Sequence, residues 1–369
     1  MTYVGDTERR PDEHERVTLE HLGRRVAALL AYDYLGPYAA ASPRDRPLFF
    51  VPRDTLTSDE ARALGVRSRE DLLGGIVPHR VAASKLVMRP LVAEDARTPP
   101  GWRHVFTPRM ARVALPGHSA FCHDDAWRAG RALLPLGRVR LKPGDGVGGH
   151  GQCVVADEPA LAAALAGYTP DDVARHGLVV EMDLADAVTY SIGQIRLGGR
   201  CASYCGRQRT TRDHAAREAY GGSELCVVRG GYAELLALAL PMPARLAVMQ
   251  VREFDAALHA VLPGLEVSRD NYDVIQGTDA AGRPRSGVLE QSWRVGGASP
   301  AELAALEAFD AAPHARVVRA ATVERYGADA PPPGATVHYR GHDPRVGPLV
   351  KFTTVECDEH ASRILHDPR

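Results

Sequence analysis

The run VRLKPGDGVGGHGQCVV, from Val139 to Val155, constrains the fold more than any other stretch. It reads as a short apolar strand ending in Lys142 and Pro143, a loop with five glycines (Gly144, Gly146, Gly148, Gly149 and Gly151), and a second apolar strand. Glycine tolerates positive φ and leaves the backbone open to close approach, so such a loop can fold its N–H groups around an anion, most often a phosphate. Lys142 adds a point charge beside that cradle. Gly144, Gly146 and Gly149 also satisfy G-x-G-x-x-G, but that dinucleotide fingerprint needs a helix directly after the loop, and Gln152-Cys153-Val154-Val155 reads as a strand. The expectation is therefore a hairpin whose tip lies over phosphates. A surface hairpin with no ligand is the plain alternative.

Lysine usage favours the first reading. Lys and Arg together number 45, yet the only lysines are Lys85, Lys142 and Lys351, so arginine carries nearly all of the generic surface charge. Two of the three flank the glycine-loop region, where a compact, rotatable ammonium suits phosphate oxygens differently from a planar guanidinium.

A second constellation lies between Asn271 and Ser299. Asp273 falls in one strand, Asp279-Ala-Ala-Gly282 makes the turn, and Glu290 ends the returning strand, so a hairpin can bring the two carboxylates together. Mg²⁺ takes hard oxygen ligands, typically one or two carboxylates completed by substrate phosphates. Arg207, Arg209, Arg212 and Arg217 form an arginine-rich stretch that reads either as a solvated loop or as a clamp for an anionic substrate.

The rest of the chain supplies the frame. With 369 residues, 45% hydrophobic and 25% charged, it has enough core for two or three domains. A formal net charge of -1, with both signs mixed throughout, gives no footprint for nucleic acid or an anionic membrane. The polar N-terminus and the lack of a spanning apolar run lead to the expectation of a cytoplasmic enzyme. Cys201 and Cys205 share one face of a strand with no histidine at zinc-ligand spacing, which favours core packing by reduced thiols. Helical periodicity runs from Pro11 to Tyr32, from Thr57 to Gly65, from Ser119 to Leu136, from Ala160 to Leu165, from Pro243 to Leu262 and from Ala301 to Phe309. Lys85 is expected on a further helix. Strands are expected at Leu48–Val51, Gly177–Met182 and in a hairpin from Thr189 to Gly206 turning at Gly198-Gly199. No chemistry is read in the tail around Lys351.

In this order, the parts resemble the ATP-grasp superfamily, which includes carboxylate-amine ligases and biotin carboxylase, and more closely an uncharacterised bacterial family with that fold. The resemblance runs from Pro78 to Ser299: Lys85, then Lys142 with the glycine loop, the strand VVEMDL, the strand TYSIGQIRLGG, and Asp273 with the run Glu290-Gln-Ser-Trp-Arg294. It implies an α/β and α+β multi-domain architecture: an N-terminal α/β domain over 1–115, a glycine-hairpin lid over 116–184, a C-terminal antiparallel-sheet subdomain with the metal strand over 185–300, and an extension over 301–369 packed on the core.

By the same resemblance Lys85 and Lys142 contact ATP phosphates, Gly144, Gly146, Gly148, Gly149 and Gly151 cover them, and Glu181, Met182, Asp183 and Leu184 meet adenine through their backbone. Asp273, Glu290 and Ser292 form the Mg²⁺ site, and Arg294 faces the transferred phosphoryl group or the substrate, with Lys142 and Arg294 taking catalytic roles. Ser292 departs from the superfamily's E-x-N, and Thr189 stands where many members have a ribose-binding glutamate. The implied activity is ATP-dependent activation of a small-molecule carboxylate as an acyl phosphate for attack by an amine, in a chain compatible with a homodimer. The alternative is a non-catalytic nucleotide-binding regulator, favoured by Ser292.

Overall fold

The computed structural model describes residues 1–5, 10–39, 42, 46–146, 151–327 and 329–356. Local signals set several element ends. Thr57 and Glu60 cap each other reciprocally, with the Glu60 carboxylate accepting the Thr57 N–H at 2.7 Å, and Gly65 at φ 78° closes the helix Ser58–Leu64. The helix Glu13–Leu30 buries Leu19, Leu22 and Val26, as its periodicity requires.

Among the described residues a separate four-stranded antiparallel sheet carries the glycine loop, in the order Gly117–Ala120, Leu178–Met182, Val139–Pro143, Cys153–Val155. A strand, not a helix, follows the glycine loop. Val139, Leu141, Leu178 and Val180 pack against the helices His123–Leu133 and Glu158–Ala166. Alternation then places Arg140, Lys142 and Glu181 on the opposite face. Two expectations are corrected here. Ser119 and Ala120 do not start a helix but lie in the edge strand, which packs so closely on its neighbour that a Cβ at Gly117 would come within 2.8 Å of the Glu181 Cβ. Lys85 does not sit on an α-helix but on a short 3-10 turn, Lys85–Met88, because the chain must extend from Arg89 onward for Leu91 to bridge to Ser119.

Among the described residues the main sheet has eight strands, in the order Pro284–Ser292, Arg269–Thr278, Ala185–Leu197, Arg200–Arg212, Glu218–Arg229, Val317–Tyr326, Gly347–Glu356, Thr336–Asp343. Gly198 and Gly199, at φ 56° and 78°, make the first tight turn. The arginine-rich stretch is strand as far as Arg212 and then a hairpin tip, and the tail supplies three strands of the same sheet. On one face the helix Met242–Val261 packs Val248, Val251 and Phe254 against Tyr190 and Tyr272. On the other, Glu13–Leu30 and Ser299–Ala311 cover Ile195, Tyr204 and Leu225. Cys201 and Cys205 are free thiols, and Cys205 is buried. Among the described residues no helix is long and apolar enough to cross a membrane.

Candidate active site

The strands Arg269–Thr278 and Pro284–Ser292 pair so that Asp273 stands directly opposite Glu290, and Asn271 opposite Ser292. The turn starts the pairing, the Asp279 carboxylate accepting the N–H groups of Ala281 and Arg283 at 2.9 and 3.0 Å, and a bulge that skips Leu289 sets Asp273 against Glu290. Cross-strand partners share a face, so both acids project to the same side. Lys85 joins them to the glycine loop. Its Nζ lies 3.0 Å from Glu290 Oε2 and donates to the Gly146 carbonyl at 2.8 Å. Asp273 Oδ1 accepts from Gln208 Nε2 at 2.7 Å and from Asn271 Nδ2 at 3.2 Å.

The surroundings divide the two acids. Burial, then the nearby Glu290 charge, push Asp273 up to about 7. Burial acts on Glu290 in the same direction, but Lys85 and Lys142 outweigh it and hold that carboxyl below its ordinary value. Among the described residues no three His, Cys, Asp or Glu side chains converge as a metal-binding group. Two hard carboxylates without a third suit an ion that completes its shell with phosphate oxygens and water, which is the Mg²⁺ pattern. Ser292 Oγ lies 3.5 Å from Arg269 Nη1, on the flank of the pair.

The strand Val139–Pro143 carries the other lysine. Lys142 Nζ is 2.5 Å from Glu181 Oε1, and Arg89 Nη2 donates to Glu181 Oε2 at 2.8 Å. Burial raises the Glu181 carboxyl, yet Lys142 and Arg89 together bring it below its usual value. The N–H groups of Met182 and Asp183 are bonded to the carbonyls of Pro116 and Arg138, both at 2.9 Å. The Asp183 carboxylate is held by Arg138 at 2.8 Å and Arg140 at 2.6 Å. Met182 and Leu184 form an apolar floor with Leu115, Ile275 and Leu289, beside Glu290.

Of the loop glycines, Gly144 is required sterically, since a Cβ there would fall 1.9 Å from the His176 carbonyl oxygen, and Gly151 holds φ 74°. Gly148 and Gly149 lie outside the described residues. Arg294 lies within the electrostatic reach of Glu290 and of Arg53 and Asp54 in the N-terminal segment. Burial, opposed by Asp54 and reinforced by Arg269, holds it below the ordinary arginine value. The arginine stretch faces elsewhere: Arg209 pairs with Glu224 at 2.6 Å and Arg217 with Asp213 at 2.8 Å. A cavity of about 570 Å³ lies beyond Arg89, lined by Leu91, Trp102 and Phe106 among others, and neither lysine nor either acid borders it.

Sequence reasoning missed Arg89, Gln208, Asn271 and Asp54. Asn271 and Gln208 could have been found by extending the strand alternation from Asp273 to its neighbours. Arg89 and Asp54 carry no local signal.

The family model described as protein of unknown function (DUF3182) matches residues 2–353. The chain belongs to the DUF3182 family. No curated protein matches its sequence. Among solved structures, this DUF3182 chain is similar to pyruvate carboxylase of Rhizobium etli at 12% identity and TM-score 0.50, over 99% of this chain and 36% of that one. It is also similar to N5-carboxyaminoimidazole synthetase of Staphylococcus aureus complexed with ADP, at 12% identity and TM-score 0.48, over 97% and 93% of the two chains. A third is the biotin carboxylase domain of Hydrogenobacter thermophilus 2-oxoglutarate carboxylase, at 14% identity and TM-score 0.43, over 68% of this chain. The DUF3182 chain spans 60% of that last chain's length. The fold is ATP-grasp, with the large antiparallel sheet expected of it.

Proposed function

We propose that this chain is an ATP- and Mg²⁺-dependent ligase that activates a carboxylate as an acyl phosphate, which an amine then attacks. The observation that carries the reading is the convergence at Lys85, which touches the lid carbonyl of Gly146 and Glu290 at once, with Asp273 opposite Glu290. A cation between the two acids and phosphates under the lid would replace these internal contacts with external ones.

In this reading Lys85 exchanges Glu290 for a phosphate oxygen. Lys142 keeps Glu181 and offers its remaining N–H donors to another. With the Met182 and Asp183 N–H groups already bonded, Leu184 is the hinge N–H left to meet adenine, over the floor formed with Ile275 and Leu289. Mg²⁺, when bound, neutralises charge on the transferring phosphoryl group. Arg294, within electrostatic reach of Glu290 and Asp54, receives the substrate carboxylate. A carboxylate oxygen attacks the γ-phosphorus and ADP departs; the amine then displaces phosphate and loses a proton, giving an amide, ADP and phosphate. The work is positioning and charge neutralisation, which needs no nucleophilic triad.

The test is ADP release in the presence of mixed carboxylates and amines. It should require both pools and vanish in Glu290→Gln. One observation favours the non-catalytic regulator: the Ser292 hydroxyl lies beside Arg269 and no contact joins it to either acid. Saturable ATP binding with no ADP release from any pool would select that reading.

A further inference from the structure

The hydroxyl at 292 leaves the cation site one neutral oxygen short of the E-x-N pattern, and the residue directly across the ladder is an asparagine. Asn271 sits two residues before Asp273 and therefore on the same face. It is 8% exposed, and its Nδ2 is 3.2 Å from Asp273 Oδ1. Its Oδ1 accepts from Ser191 Oγ at 2.8 Å and faces the Tyr204 hydroxyl at 3.3 Å.

The Tyr204 hydroxyl has a single proton. Glu302 Oε1 takes it at 2.7 Å and is itself anchored by Arg269 Nη2 at 2.6 Å. Towards Asn271 the tyrosine oxygen therefore has only lone pairs to offer, which suit an amide nitrogen. Ser191 Oγ can accept as well as donate. A half-turn of the amide thus satisfies both hydroxyls and points the carbonyl oxygen towards Asp273. Two oxygens facing each other in a buried site repel unless a cation or a proton lies between them. The orientation with Nδ2 on Asp273 suits an ionised carboxylate with no cation beside it, and the reverse orientation suits the loaded site.

We propose that Asn271 supplies the neutral oxygen of the cation site from the strand opposite Ser292, its amide turning over as the cation binds. This rests on the Mg²⁺ site proposed above. The asparagine of the usual pattern has in effect crossed the hairpin.

The experiment uses Mn²⁺ as the probe, with free Mn²⁺ followed by electron paramagnetic resonance in the presence of ADP and the full chain. Asn271→Ala should weaken Mn²⁺ binding by about tenfold or more, the scale at which even outer-shell partners matter. Ser292→Ala should leave it within about twofold. Asn271→Asp separates a ligand from a hydrogen-bond donor that merely holds Asp273. An oxygen ligand is kept and binding persists, whereas a donor role is destroyed and binding falls as in Asn271→Ala. Should Asn271→Ala fail to fold, Asn271→Asp still decides. Parent-like binding by Asn271→Ala, or equal losses in Asn271→Asp and Asn271→Ala, would overturn the assignment. Parent-like binding by Asp273→Asn would overturn the metal site itself.

Discussion

The two lysines that face glutamates in the candidate site do so in different surroundings. Lys142 and Glu181 are 8% and 2% exposed at the side chain, and the third partner, Arg89, is 0%. Lys85 and Glu290 are 12% and 34% exposed, and the acid beside them has a raised pKa. In the first group two cations enclose one anion away from water, so removal of that anion strands two buried cations. In the second, water and incoming ligands can replace either partner. The same residue types thus build a fixed frame at the hinge and an exchangeable contact at the hairpin.

The largest effect should fall on the frame. Glu181→Gln leaves Lys142 and Arg89 without their shared anion and should lower stability by about 3–5 kcal/mol, read as the midpoint of urea unfolding. Glu290→Gln should move that midpoint by only about 1 kcal/mol, because Glu290 is a third exposed and Lys85 keeps the Gly146 carbonyl. Its effect should appear instead in Mg²⁺-dependent ADP release, reduced by about 100-fold or more. Similar unfolding midpoints for the two variants would erase the distinction between frame and exchangeable contact.

A smaller effect sharpens the role of Lys142. Lys142→Arg keeps the charge but must fit a planar fork where Nζ sits 2.5 Å from Glu181, and ATP affinity should fall by about tenfold. Lys351→Arg should leave ATP affinity unchanged. It is not a silent surface change, however, since Lys351 is 8% exposed and bonded to Glu324 at 3.0 Å, and overpacking there should lower stability by about 1 kcal/mol. Equal ATP affinities for the two variants would remove Lys142 from the phosphate contacts.

What is legible in the sequence is local. The glycine loop, the carboxylate hairpin and its Asp279 turn all lie within short stretches with clear turn chemistry, although the bulge that sets Asp273 against Glu290 carries no such signal. The three lysines stand out against an arginine background, and two of them fall in the site. What is not legible depends on distant pairing. Arg89 matters because Gly117–Ala120 forms an edge strand against the hinge, and a stretch rich in small and polar residues gives that strand no period. The strand Val317–Tyr326, on which the two later strands build, looks inert in the sequence because its partner, Glu218–Arg229, is broken by Gly221 and Gly222 and itself reads as loop. Ser292 enters the ligand set by analogy of position, whereas the register shows that Asn271 shares its row and makes the contact with Asp273.

The smallest effect concerns pH and tests whether Asp273 is exchangeable as described. Its folded pKa, raised by burial and by Glu290 to about 7, stands above the roughly 3.9 of an unfolded aspartate. Between those values the native chain holds a proton that the unfolded chain has released, so the stability of the cation-free protein falls as pH rises from about 4 to about 7, then levels. An amide in place of this carboxyl cannot ionise, so Asp273→Asn should match the parent near pH 4 and exceed it by a few degrees in Tm at about pH 8. Mg²⁺ with ADP should close that gap by stabilising the parent alone. The closure should fade below about pH 7, where the cation must first displace the proton. At the hinge the sign is opposite: Glu181 is held below its ordinary value, so its pair persists throughout this range. A Tm difference independent of pH would mean that Asp273 stays ionised in the empty site, and that Lys85, rather than a proton, neutralises it there.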